Sequence, residues 1–130
     1  MIISLVLIDA RNTLFLGSGI DLILKTLLDS VETEKLVVTN ANPREQIEYG
    51  INHSPYPVFT MNHNPNKTDP SYFNILMSNY HLQATDIIYI EHNIKAVESA
   101  SSLGISSYHF DKDLRDIDKL KKRIQQQLYQ

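Results

Sequence analysis

The chain has 130 residues, with 12 Lys+Arg against 15 Asp+Glu and a formal net charge of −3. That length suits a single domain over 1–130, and the charge balance excludes a nucleic-acid binder driven by a dense basic field. Cysteine is absent, which excludes a disulfide scaffold, a Cys-ligated zinc site and a thiol nucleophile.

From the N-terminus, Ile2 to Ile8 is a short, continuous, β-branched-rich run. Such a run reads as a strand buried on both faces of a parallel sheet. It lacks the basic flank of a signal peptide and meets charge at once in Asp9-Ala10-Arg11-Asn12. No stretch approaches the ~20 apolar residues of a membrane span, so a cytoplasmic protein without membrane contact is expected. Gly17-Ser18-Gly19 breaks the chain, and Ile20, Ile23, Leu24, Leu27, Leu28 and Val31 then recur at helical spacing. Leu36 to Thr39 predicts a second strand. Pro43 starts a helix with Ile47 and Tyr49 facing inward and Gly50 at its end. Tyr56 to Met61 predicts a third strand, and Asn62 to Asn66 a loop.

Asp69-Pro70 opens a helix with Phe73, Leu76, Met77 and Tyr80 on one face. Ile87 to Ile90 predicts a fourth strand. Asn93 caps a helix with Ile94, Val97, Ala100 and Ser101 inward, and Gly104 stops it. Ile105 to Phe110 predicts a fifth strand. Asp111 or Asp113 caps a last helix striped by Leu114, Ile117, Leu120, Ile124 and Leu128. Strands alternating with helices argue for an α/β, doubly wound, Rossmann-like three-layer sandwich around a five-stranded parallel sheet.

Ligands of such sheets bind outside the carboxyl ends of the strands. The residues there are Asp9 to Thr13, Thr39-Asn40, Lys67 and Glu91-His92-Asn93. Two carboxylates, a hydroxyl and a lysine at four strand ends are what magnesium-assisted phosphate chemistry uses: carboxylates for the metal, hydroxyl and ammonium for the phosphate. The five histidines show no metal-ligand spacing.

The pattern resembles the haloacid dehalogenase-like superfamily. Leu7-Ile8-Asp9-Ala10-Arg11-Asn12-Thr13-Leu14-Phe15 is similar to that family's first motif, Asp-x-Asp-Gly-Thr-Leu-Phe. Val37-Val38-Thr39-Asn40 is similar to its second. Asn66-Lys67-Thr68-Asp69-Pro70-Ser71-Tyr72-Phe73 is similar to its third, and Ile88 to Asn93 to its fourth. The resemblance implies a nucleophile at Asp9, Mg²⁺ held by Asp9 and Glu91 with the main-chain carbonyl of Arg11, and a phosphoryl group held by Thr39 and Lys67. The segments between the strands leave no room for the cap domain of many relatives. A capless member has an open site for a phosphorylated substrate or a macromolecular partner.

The chain departs from the family where phosphatases carry a second Asp as general acid and base. That position is Arg11, which stays protonated and shuttles no proton. The small residue after it is Asn12, and the acidic pair of the fourth motif is Glu91-His92. Two functions are expected. One is a Mg-dependent phosphohydrolase or phosphotransferase with impaired chemistry. The other is an inactive binding or regulatory domain, with Arg11 forked onto Asp9 or Glu91 in the place of the metal.

Overall fold

The computed structural model describes residues 3–128, so the expected start of the first strand at Ile2 lies outside the described residues. Strand β1 runs Leu5–Asp9 and is buried along its whole length. A two-strand ribbon comes next, β2 (Phe15–Leu16) and β3 (Gly19–Ile20), then helix α1 (Leu22–Asp29), strand β4 (Glu34–Thr39) and helix α2 (Pro43–Glu48). A 3-10 turn at Ile51–His53 leads to β5 (Val58–Thr60) and α3 (Ser71–Tyr80). The rest is β6 (Ile87–Glu91), α4 (Ile94–Ser101), β7 (Ser106–His109) and α5 (Ile117–Leu128).

The main sheet is five-stranded and parallel, in the order β5-β4-β1-β6-β7. The side chains of β1 and β6 alternate between two cores. Val6, Ile8, Ile88 and Ile90 pack with Leu24, Leu27 and Leu28 of α1 and with Leu120 and Ile124 of α5. Leu5, Leu7, Ile87 and Tyr89 pack with Tyr72, Phe73 and Leu76 of α3 and with Ala100 of α4. Helices thus cover both faces, which is why the central strands are apolar without alternation. The chain winds outward from β1 in both directions, through β4 to β5 and through β6 to β7. The switch point therefore falls between β1 and β6, at the ends carrying Asp9 and Glu91.

Several expectations at helix ends are corrected. Asp21 caps α1, its carboxylate accepting from the N–H groups of Ile23 and Leu24. Ile20 belongs to the ribbon, and Ile23, off the Leu24/Leu27/Leu28 stripe, is 68% exposed. Helix α2 buries no residue, and Ile47 is exposed. A capping box between Asn42 and Glu45 and the proline at its start hold this short helix in place of an apolar stripe. Ile94 and Leu114 are also exposed. Leu114 lies in a turn where the Asp111 carboxylate accepts from Asp113 and Leu114 N–H, and α5 begins three residues later. Tyr80, expected on the inward face of α3, is exposed at its last turn. Asn93 and Gly104 behave as expected: Asn93 caps α4 by accepting from Lys95 N–H, and Gly104 leaves the helix at φ +86°.

Candidate active site

Register brings the strand ends together. Asp9 of β1 pairs with Val38, one residue before Thr39, and Ile8 pairs with Ile90, one residue before Glu91. Beyond β1 the chain curls back on itself: Leu14 N–H donates to Asp9 and Ala10 carbonyls, and Phe15 N–H to Ala10. That curl needs Asn12 at φ +68°, a conformation that Asn tolerates better than most residues. It also brings Thr13 Oγ1 to donate to Asp9 Oδ2 at 2.7 Å. Arg115 clamps the curl from outside, donating to the carbonyls of Asn12 (3.0 Å) and Thr13 (2.5 Å) and pairing with Asp21 at 2.7 Å.

Lys67 arrives from the loop before α3. Its N–H donates to Asn40 Oδ1 at 2.7 Å, which ties the second and third motifs together. Its ammonium bridges Asp9 Oδ1 and Glu91 Oε1, the latter at 2.7 Å. Asp9, Lys67 and Glu91 are 3%, 6% and 0% exposed, so this is a buried triad of charges. The remaining oxygens are also occupied. Asp9 Oδ2 lies 2.5 Å and Glu91 Oε2 3.2 Å from His92 Nδ1. Glu91 Oε2 accepts from Asn93 N–H at 3.0 Å, and Glu91 Oε1 accepts from Tyr89 OH.

The electrostatics come from burial among charges. Burial pushes the Asp9 carboxyl up, against the pull of Lys67. Burial also disfavours the Glu91 carboxylate, but the Lys67 charge and the hydrogen bonds of His92 and Lys67 outweigh it and hold Glu91 well below the usual range. Burial opposes the Lys67 charge, yet Asp9 and Glu91 keep it above its ordinary value. His92 loses by burial and gains more from hydrogen bonds to Asp9 and Glu91, which lift it to about 9.

These groups floor an open cleft of about 290 Å³. Thr39 lines it, as expected, but its hydroxyl also accepts from Ala41 N–H at 3.1 Å and so shapes the turn after β4. Tyr72 fixes that strand end, its hydroxyl accepting from Thr39 N–H (3.1 Å) and lying 2.9 Å from the Thr39 carbonyl. On the lip, His63 Nε2 lies 2.6 Å from Glu45 Oε1.

Arg11 is the main correction. Its side chain is exposed, and its guanidinium lies over the Tyr49 ring at 4.0 Å from the centroid. Among the described residues Arg11 forms no ion pair. It therefore does not occupy the place of a metal between Asp9 and Glu91; a planar cation has a better partner in the aromatic face at the lip. Sequence reasoning puts Asp9, Thr39, Lys67 and Glu91 at one cleft, and the structure gathers the same four. Sequence reasoning puts His92 among the strand-end residues but gives it no role on the floor, where its ring meets both Asp9 and Glu91. It also misses Tyr72, Tyr89 and Arg115, which act through contacts distant in sequence. Among the described residues, Asp9, Glu91 and His92 are the group of donors close enough to share a metal ion, with ligand atoms within 4.8 Å of one another. No helix of the described residues is long and apolar enough to cross a membrane.

Comparison by sequence with protein-family models and with curated proteins returns no match. Comparison of structures does. An uncharacterised protein of Corynebacterium glutamicum is similar over 97% of this chain and 95% of its own, at 14% identity and a TM-score of 0.71. A haloacid dehalogenase-family enzyme of Bacteroides thetaiotaomicron, an aspartate-to-alanine variant in complex with magnesium and inorganic phosphate, is similar over 82% of this chain and 93% of its own, at 12% identity and a TM-score of 0.64. The L-2-haloacid dehalogenase of Xanthobacter autotrophicus, with chloropropionic acid covalently bound, is similar over 82% of this chain and 49% of its own, at 12% identity and a TM-score of 0.53. With its sheet order and these neighbours, the chain has the haloacid dehalogenase-like fold.

Proposed function

We propose that the cleft accepts a phosphoryl group on Asp9 from an activated phosphate, such as an acyl phosphate, and releases it slowly to water. The observation that supports this best is Asp9 itself, a carboxylate at the end of the central strand, on the floor of an open cleft and paired with a buried lysine. An Asp9 oxygen forms the bond to phosphorus while the bond from phosphorus to the leaving oxygen breaks. An acyl leaving group departs as a carboxylate with the electron pair and needs no proton. That suits a site whose general-acid position holds Arg11. Lys67 balances negative charge at the reacting end, and Thr39 with Asn40 offers polar groups to the phosphoryl oxygens. Hydrolysis of the aspartyl phosphate requires water to lose a proton, which Arg11 cannot accept. Absence of that base slows the second step by about 10²–10⁴.

The donor set does not fit magnesium as it stands. Asp9 Oδ2 and Glu91 Oε2, the oxygens a cation would share, both face His92 Nδ1, and imidazole is a poor partner for so hard an ion. A second reading, a phosphate-binding domain without chemistry, is favoured by the partners already on both Asp9 oxygens. Turnover of acetyl phosphate separates the two. Measurable release of phosphate, abolished in Asp9→Asn, supports the acceptor reading. No turnover, together with no phosphoryl group retained on Asp9, leaves only binding. In the acceptor reading Arg11→Asp restores a proton carrier and raises hydrolysis by about 10²–10⁴.

A further inference from the structure

The two carboxylates on the floor divide their oxygens between Lys67 and His92. Asp9 Oδ1 and Glu91 Oε1 face Lys67. Asp9 Oδ2 and Glu91 Oε2 face His92 Nδ1, at 2.5 and 3.2 Å. Ionised carboxylate oxygens only accept, so Nδ1 must carry a proton. Thr13 Oγ1, 3.1 Å from the same nitrogen, gives its own proton to Asp9 Oδ2. The imidazole is thereby fixed in position and tautomer, with its side chain 20% exposed. Among the described residues Nε2 has no hydrogen-bond partner, and His92 lines the cleft.

We propose that the His92 ring holds the place of a divalent ion: its Nδ1–H sits between Asp9 and Glu91, where such an ion would bridge them, and its Nε2 edge faces the cleft. A divalent cation entering the floor must first expel a ring hydrogen-bonded to two carboxylates. The cleft thus meets a phosphoryl anion with Lys67 and without an added metal. This deepens the phosphoryl-acceptor reading, yet its test reads metal affinity and can fail while phosphorylation of Asp9 succeeds.

The test is calorimetric titration of the full chain with magnesium chloride, for the wild type and for His92→Ser. The wild type is expected to show no saturable binding at millimolar metal. His92→Ser, with the ring gone and two carboxylates exposed to the ion, is expected to bind at least about tenfold more tightly and to melt at a higher temperature when magnesium is present. Ring-nitrogen NMR of the wild type gives a readout that needs no variant: the His92 Nδ1 signal keeps its protonated position through the titration. Submillimolar magnesium binding to the wild type, equal affinity in the two proteins, or loss of the His92 Nδ1 proton as magnesium or manganese is added overturns the proposal.

Discussion

The floor and the lip of one cleft are built on different principles. On the floor, Asp9, Lys67 and Glu91 are almost without exposure, and every carboxylate oxygen has a partner. On the lip, Arg11 rests on Tyr49, and His63 contacts Glu45 and Asn66, all open to solvent. Charges at the two levels have different worth. Buried charges hold one another in place because leaving one alone is costly, whereas exposed pairs contribute little. The floor is therefore held by its own charges, whereas the lip is a short helix and a loop with weaker side-chain ties.

The comparison breaks most sharply at Lys67. Lys67→Met leaves Asp9 and Glu91 buried and facing each other without their shared ammonium, and is expected to cost about 3–5 kcal/mol in urea unfolding near neutral pH. A cost like that of a surface pair contradicts the buried triad. Next is Tyr72→Phe, which strips the hydroxyl from the end of β4 and leaves the Thr39 N–H unsatisfied, for about 1–3 kcal/mol in the same measurement. It also lowers phosphate affinity if the turn after β4 holds the anion.

His92 sharpens the comparison through pH. Its folded value, about 9, lies above its ordinary 6.5 because Asp9 and Glu91 bond to the charged ring. Its contribution is then complete below pH 6.5 and lost as pH rises towards 9. Wild-type stability is expected to fall across that window, and His92→Asn to remove that part of the slope; identical slopes would show that His92 does not bridge the carboxylates. The smallest effect belongs to the lip. Arg11→Ala removes one exposed cation–π contact and is expected to change stability by at most about 0.5–1 kcal/mol. A larger loss would mean that Arg11 reaches the floor after all.

The floor is largely legible in the sequence because its residues sit at ends of strongly patterned strands. β1 and β6 read as continuous apolar runs, and the residue that ends each is fixed in space once the order of strands is known. Asp9 and Glu91 emerge that way, and Lys67 through the Asp69-Pro70 helix start two residues on. The lip is less legible. Helix α2 is six residues long and held by its capping box, so the expectation that Ile47 faces inward has no burial to enforce it. The ribbon of β2 and β3 escapes sequence reasoning because two residues per strand carry no periodicity, although Gly17-Ser18 marks its turn. Arg11 pairs with an unexpected partner for a related reason. Opposite charge two residues away is visible in the sequence, but the curl that turns Arg11 outward to Tyr49 is not.

The central claim, that Asp9 is a phosphoryl acceptor, is tested most directly by acid-quenched mass spectrometry of the chain after mixing with acetyl phosphate. With hydrolysis slowed by Arg11, a phosphorylated peptide containing Asp9 is expected to accumulate and to be absent from Asp9→Asn. A folded wild-type chain that gains no phosphoryl group on Asp9 contradicts the claim.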